Sequence, residues 1–378
     1  MDIFKRLLAI LLIISLFSCI SSLPISASEG KLDSISAKSA ILVEAKNGRA
    51  LYSKNGSARM PMASTTKVMT AIVALESGIS LDMQIKVPSE AVGIEGSSVY
   101  LRQNEVVSLE MLLYALMLSS ANDAALAIAH TVSGSVEAFV DLMNEKARVL
   151  GLANTHFTNP HGLYDDGHYT TAEDLAKIMV YAMKNEDFAK ITATQTKAFA
   201  RGDGTSFLLT NHNKLLKTYD GVIGGKTGFT KKCGRCLVSC AERDGLRLIA
   251  VTLNAPNDWN DHKELYDFGF ASYKNVVFDA QSIKIPVISS DKSEILVSSS
   301  PFEMVLPQNH GEISVKINAP AFLFATVKKG EKVGKVVYSR GGKIIAVSLL
   351  YACEDADRVR YGFNPFDWLI DFIKGIFK

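Results

Sequence analysis

The chain runs to 378 residues, 48% of them apolar, 21% charged and 8% aromatic, with a formal net charge of +2. That length buries a sizeable core and suggests two domains, or one large domain with an appendage. The composition excludes disordered, collagen-like and disulfide-framework chains, and 41 basic against 39 acidic residues give no electrostatic case for nucleic acid.

Residues 1–27 read as a secretory signal. Lys5 and Arg6 precede an apolar run from Leu7 to Phe17, and Ala27 ends a small-residue cleavage point. The run is short for a membrane span, so the mature chain is expected to begin near Ser28, outside the cytoplasm. Two apolar runs between Ser39 and Asn55 flank Asn47-Gly48, the pattern of a hairpin turn whose central residues both take positive φ. Helices are predicted over 64–77, stopped by Gly78, and over 109–118, 121–131, 136–150 and 171–183, the last capped by Thr171. Strands return at 226–230, 234–242 and 246–254, with a turn at Asp244-Gly245. Strands, a helical block and strands again predict an α+β fold, an antiparallel sheet flanked by helices.

After about Asp279 the texture changes. Ile283, Ile285 and Val287 alternate, as do Ile313, Val315 and Ile317, and two further runs flank Gly341-Gly342. Residues 279–353 therefore read as a small all-β domain. The expected divisions are 1–27, 28–278, 279–353 and a terminal segment at 354–378. From Pro365 onward, Asp367, Asp371, Lys374 and Lys378 recur at helical spacing as one narrow polar stripe. The rest of that helix is apolar, Trp368 included, and it is expected to lie on a membrane surface. Cys233, Cys236 and Cys240 fall in a strand-like run with no second metal-spaced pair, so they are expected to be small buried side chains.

Three motifs carry chemistry: Ser64-Thr65-Thr66-Lys67 at a helix start, Ser120-Ala121-Asn122 between helices, and Lys226-Thr227-Gly228 on a strand. A serine hydroxyl is a poor nucleophile without a base. Residues three apart on a helix face the same way, so Lys67 reaches the Ser64 oxygen, and the helix N-terminus favours a developing oxyanion. Lys67 acts as base only when deprotonated, which needs burial or a second cation such as Lys226. Ser120 is placed to relay a proton to a leaving amine, and Asn122 to orient Lys67 and a substrate amide. Lys226 and Thr227 suit a substrate carboxylate, and Gly228 allows a substrate strand close to the backbone. Taken singly, each motif has a bland reading: Ser64 as an N-cap, the others as loop and strand-end residues. Their order and separation match the set found in penicillin-binding proteins and class A β-lactamases.

On these residues, and on Asn159-Pro160-His161-Gly162-Leu163 and Lys226-Thr227-Gly228-Phe229-Thr230, the chain resembles the serine D-Ala-D-Ala carboxypeptidases, the low-molecular-mass penicillin-binding proteins. The resemblance spans nearly the whole chain. It implies that Ser64 is the acylated nucleophile and Lys67 the general base, with Ser120 and Asn122 completing the proton network. It also implies that Lys226 and Thr227 bind the terminal carboxylate of a peptidoglycan pentapeptide stem, and that the Ser64 and Phe229 N–H groups form the oxyanion hole. The substrate would lose its terminal D-alanine without metal or cofactor, β-lactams would acylate the same serine, and the C-terminal helix would hold the enzyme at the outer face of the cytoplasmic membrane. Ala121 stands where the family often has glycine, and Cys233 where a small residue is expected.

A class A β-lactamase needs a glutamate in a Glu-x-x-Leu-Asn loop, and none of Glu137, Glu145, Glu173 or Glu186 begins one. A phosphate loop fails because Asp220 stands where its first glycine belongs. His161 and His168 around Asp165 and Asp166 lack a zinc-peptidase pattern, and no Gly-x-Ser-x-Gly elbow occurs. A wall-binding protein that keeps the fold without catalysis is the rival from another class.

Overall fold

In a computed structural model of the chain, residues 32, 34–201 and 205–359 are described. The signal expected at 1–27 and the helix expected from Pro365 lie outside them. β1 (Ser39–Glu44) and β2 (Ala50–Lys54) form the first hairpin, but its connection is longer than the two-residue turn expected at Asn47-Gly48. Gly48 has positive φ and Asn47 does not. The Glu44 carboxylate accepts the Lys46 and Asn47 N–H groups at 2.9 and 3.2 Å, curling the chain ahead of the glycine.

A 3-10 turn, Ala63–Thr66, leads directly into α1 (Lys67–Leu75), and β3 (Gln84–Lys86) pairs with β4 (Val106–Ser108). The helical block comprises α2 (Leu109–Leu118), α3 (Asn122–Ser133), α4 (Val136–Val149), α5 (Ala172–Ala182) and α6 (Glu186–Ala193). Ser108, Ser135 and Thr171 start three of these helices, each accepting the N–H three residues on at 3.0–3.1 Å. α2 buries Leu109 and every residue from Met111 to Leu118, as a helix apolar all round must. The hairpin of β5 (Thr196–Ala200) and β6 (Ser206–Thr210) and the single turn α7 (Leu215–Thr218) come next.

β7 (Val222–Thr230), β8 (Gly234–Arg243) and β9 (Leu246–Leu253) then complete an antiparallel sheet in the order β2-β1-β9-β8-β7. β7 is an edge. Alternate residues face opposite layers: Ile41, Val43, Val238 and Val251 pack against the helical block, and Ala40, Leu42, Leu248 and Ala250 against α8 (Asp258–Ser272). Asp261 of α8 accepts the Ser36 and Ala37 N–H groups at 2.8 and 2.9 Å, and His262 lies between Ser239 Oγ (2.7 Å) and Thr252 Oγ1 (3.1 Å). Cys233, Cys236 and Cys240 are free and buried in the core on the helical side. Burial pushes the Cys236 and Cys240 thiols up to about 12.

The remainder is all-β: β10 (Tyr273–Phe278), β11 (Ser282–Ile288), β12 (Glu294–Ser298), β13 (Phe302–Pro307), β14 (Ile313–Asn318), β15 (Leu323–Phe324), β16 (Lys332–Arg340) and β17 (Lys343–Ala352). β10 pairs with β13, and the others form a sheet in the order β14-β16-β17-β12-β11-β15. Phe278, Phe302 and Tyr338, with ring centroids 4.9–5.1 Å apart, pack the two sheets together. β10, grouped above with residues 28–278, thus pairs with a strand of the β domain. Ala356 and Arg358 still bridge to Val327 and Ser290 of that domain.

Candidate active site

Ser64 is not a helix cap. The 3-10 turn that carries it is preceded by Met62, and no side chain caps it. Ala63 is held at φ +46°, a left-handed conformation that alanine rarely adopts. Thr65 Oγ1 donates to Met62 O at 2.6 Å and Thr66 Oγ1 to Ala63 O at 2.7 Å, which over-determines the turn. The Ser64 hydroxyl is left half-buried, at the head of α1.

The amine of Lys67, one turn on, is fully buried and has three partners: Ser64 Oγ at 3.1 Å, Asn122 Oδ1 at 2.7 Å and the His161 carbonyl at 2.6 Å. Asn122 in turn donates from Nδ2 to Glu95 O at 2.7 Å, and its own N–H donates to Ser97 O at 2.7 Å. Asp123 secures the same loop, accepting Ser98 Oγ and the Val99 and Leu101 N–H groups. Ser120 is 5% exposed and left-handed at φ +60°. Among the described residues no hydrogen bond joins it to Ser64 or Lys67.

The loop from Thr158 to His168 clamps the other side. Asn159 Oδ1 accepts Gly162 N–H at 2.6 Å, Pro160 O accepts Thr70 Oγ1 at 2.6 Å, and His168 lies 2.7 Å from Thr66 Oγ1. Thr158 N–H donates to His168 Nδ1, so Nε2 holds the ring proton and donates to Thr66. Gly162, at φ +88°, sits so tightly on the nucleophile turn that a Cβ there would be 2.1 Å from Ala63 O.

β7 forms the facing wall. Thr192 Oγ1 bonds both the N–H and the C=O of Gly225, at 2.9 and 2.8 Å, fixing the strand just before Lys226. Lys226 is 1% exposed and donates to Thr227 O at 2.8 Å. Gly228 brings β7 against the turn: a Cβ there would be 2.9 Å from the Ser64 nitrogen. The Phe229 side chain is exposed.

Burial, and after it the charge of Lys226, holds the Lys67 amine well below its ordinary value, against an opposing pull from Asp123. Burial brings Lys226 down to about 7. It also lowers His161 to about 3, aided by Lys67, and His168 to about 4, so both rings are neutral near pH 7.

The structure thus joins Ser64, Lys67 and Asn122 by direct hydrogen bonds and sets β7 against the Ser64 nitrogen. Sequence reasoning missed Glu95 and Asp123, and it had no role for His161. Glu95 and His161 act through backbone carbonyls, which no side-chain pattern reveals.

Residues 26–257 match the D-alanyl-D-alanine carboxypeptidase family, and residues 272–358 match the C-terminal domain of penicillin-binding protein 5. The chain is 32% identical to D-alanyl-D-alanine carboxypeptidase DacF of Bacillus subtilis, over 94% of this chain and 96% of that one. It is 30% identical to D-alanyl-D-alanine carboxypeptidase DacA of Haemophilus influenzae, over 97% and 98% of the two chains. The solved structure of penicillin binding protein 5 from Haemophilus influenzae is similar with a TM-score of 0.72 at 29% identity, covering 86% of this chain and 98% of that one. The chain belongs to the serine-type D-alanyl-D-alanine carboxypeptidases, the low-molecular-mass penicillin-binding proteins.

Proposed function

We propose that this chain is a D,D-carboxypeptidase that removes the terminal D-alanine from peptidoglycan pentapeptide stems through an acyl-enzyme on Ser64. One observation carries the reading: the buried Lys67 amine, 3.1 Å from Ser64 Oγ with two oxygen acceptors on its other side. A neutral amine has two N–H donors and one lone pair. Asn122 Oδ1 and His161 O take the donors, and the lone pair is left for the Ser64 hydroxyl proton.

Ser64 Oγ attacks the carbonyl of the penultimate D-alanine and Lys67 takes its proton. The oxyanion is held by the Ser64 and Phe229 N–H groups, in the gap that Gly228 keeps free of a side chain. Ser120 passes a proton to the leaving amine, the C–N bond breaks, and D-alanine departs. Water then attacks the ester, giving the tetrapeptide acid and restoring the Ser64 hydroxyl. Lys226 and Thr227 bind the substrate's terminal carboxylate. β-Lactams acylate Ser64 and leave slowly. The loop beside Lys67 supports this, because the group it gives the amine is the His161 carbonyl rather than a carboxylate that could activate water.

Among the described residues no single helix is long and apolar enough to cross a membrane. The reading places the enzyme outside the cytoplasm, attached to the membrane surface through residues 365–378, with the β domain as spacer.

The test is a time course of intact mass with benzylpenicillin, peptide mapping, and D-alanine release from a pentapeptide by wild type and Ser64→Ala. A lasting adduct on Ser64, with release lost in the variant, is expected. Drug consumed without an adduct would point to a β-lactamase. Release that survives in Ser64→Ala would sink the mechanism.

A further inference from the structure

The β domain carries an apolar tip with no place in the catalytic reading. From Ile317 to Val327 the chain holds no charged side chain. Within that stretch β15 makes only a two-residue parallel pairing with the end of β11, Leu323 opposite Val287 and Phe324 opposite Ile288. Residues two apart on a strand share a face. Leu323 turns inward against the β-domain core, while Phe322 and Phe324 project outward, 46% and 66% exposed, their rings perpendicular at 5.4 Å. Ile288, 43% exposed, is their neighbour across the pairing. Scattered exposed apolar residues need no explanation, but two phenylalanines in an uncharged stretch with an isoleucine across the pairing do.

The corner is also where the described chain ends. Val359 N–H donates to Ser289 O at 3.1 Å, and Arg358 bridges to Ser290, one and two residues beyond Ile288. Six peptide steps separate Val359 from Pro365, where the apolar, polar-striped segment begins. Six residues reach roughly 20 Å at full extension. If residues 365–378 lie on a lipid surface, the tip cannot be farther from that surface than this tether allows. Behind the tip, Lys328 pairs with Asp357 at 2.6 Å and with Asp355 at 3.4 Å, and Lys292 with Glu354, while Arg358, Lys329 and Asp291 are exposed. Neither a strong attraction to anionic headgroups nor an unpaired carboxylate opposing them is present in these pairs.

We infer that Phe322, Phe324 and Ile288 form a second membrane contact, dipping into the bilayer interface beside the point where the C-terminal segment leaves the domain. The inference rests on the membrane attachment proposed for residues 365–378. Two contacts on one body restrict its tilt, whereas a single tethered segment leaves the domain free to pivot. The driving force is burial of apolar side chains, so binding at this corner depends little on salt.

The test uses the mature chain, residues 28–378, and vesicles of phosphatidylethanolamine and phosphatidylglycerol. Co-sedimentation of wild type is compared with a Phe322→Ser/Phe324→Ser variant, with benzylpenicillin acylation as the check on folding. A fall in partitioning of about tenfold or more is expected. Independently, Phe324→Trp is placed in a background with Trp259→Phe and Trp368→Phe, and its fluorescence is read against bromine-labelled lipids. Quenching by bromines near the headgroups supports the contact. Wild-type binding with no loss in the double variant and no quenching at position 324 overturns the inference and leaves the C-terminal attachment standing. No binding by wild type removes the attachment itself, and the inference with it.

Discussion

Replacing Lys67 by methionine isolates the step on which the proposed chemistry depends. Methionine keeps the volume of the buried stem and removes the amine. General-base assistance contributes about 10²–10⁴ in rate, or roughly 3–5 kcal/mol of barrier at 1.36 kcal/mol per tenfold. The fold is expected to survive. Asn122 Oδ1 and His161 O lose a donor at 2.7 and 2.6 Å, at about 1–3 kcal/mol each, but a fully desolvated amine is no longer buried, which offsets part of that cost. Arginine at the same position supplies donors but stays charged and has no lone pair to give, so it restores hydrogen bonds without restoring rate. The assay is the second-order rate of benzylpenicillin adduct formation by intact mass, with a thermal melt on each variant. A folded Lys67→Met protein that acylates within tenfold of wild type, or a Lys67→Arg protein that matches it, would refute the assignment of the base.

Gly228→Ala sets a methyl 2.9 Å from the Ser64 nitrogen and 3.1 Å from both Ala63 Cβ and Met62 O; acylation is expected to fall about 10²–10³-fold with a modest loss of melting temperature, as when an oxyanion donor is displaced, and unchanged acylation would show that the gap is not used. Lys226, at about 7 in the free enzyme, loses its charge as pH rises, so KM for a D-Ala-D-Ala substrate should climb above pH 7 while KM for an analogue lacking the terminal carboxylate stays flat; parallel profiles for both would exclude Lys226 as the carboxylate partner. His262 and His168 are buried with pKa values lowered to about 3 and about 4. Between pH 6.5 and those values the unfolded chain holds protons that the folded chain does not, so stability falls as pH falls, by about 1.4 kcal/mol per pH unit for each ring. Urea melts of wild type and His262→Gln between pH 4 and 7 should show a shallower slope in the variant, and an identical slope would place the acid sensitivity elsewhere.

The elements best read from sequence are those whose stop and start signals are local. Thr171 caps its helix as expected and Gly78 follows α1, because one side chain or one φ value decides each. The α+β order and the all-β remainder follow from alternation that survives folding. α8 was missed because its buried positions include Asp258, Asp261 and His262, which satisfy backbone and hydroxyl groups and blur the apolar stripe that marks a helix. α6 and the β5–β6 hairpin were missed too. In the site, spacing alone brought Lys67 to Ser64, and the three-motif order anticipated Asn122. The left-handed Ala63, the 3-10 turn and the carbonyls of His161 and Glu95 were not legible. They depend on loops from distant parts of the chain packing against α1.

The buried thiols have a consequence for how the sheet can be watched. Cys236 and Cys240 sit on β8, flanked by β7 and β9, and with pKa values of about 12 roughly one thiol in 10⁵ is thiolate at pH 7. In the closed protein these two thiols therefore offer oxidants and alkylating agents almost nothing to attack, and their modification has to pass through an opening of the strands. The rate at which these two sulfurs are tagged counts those openings.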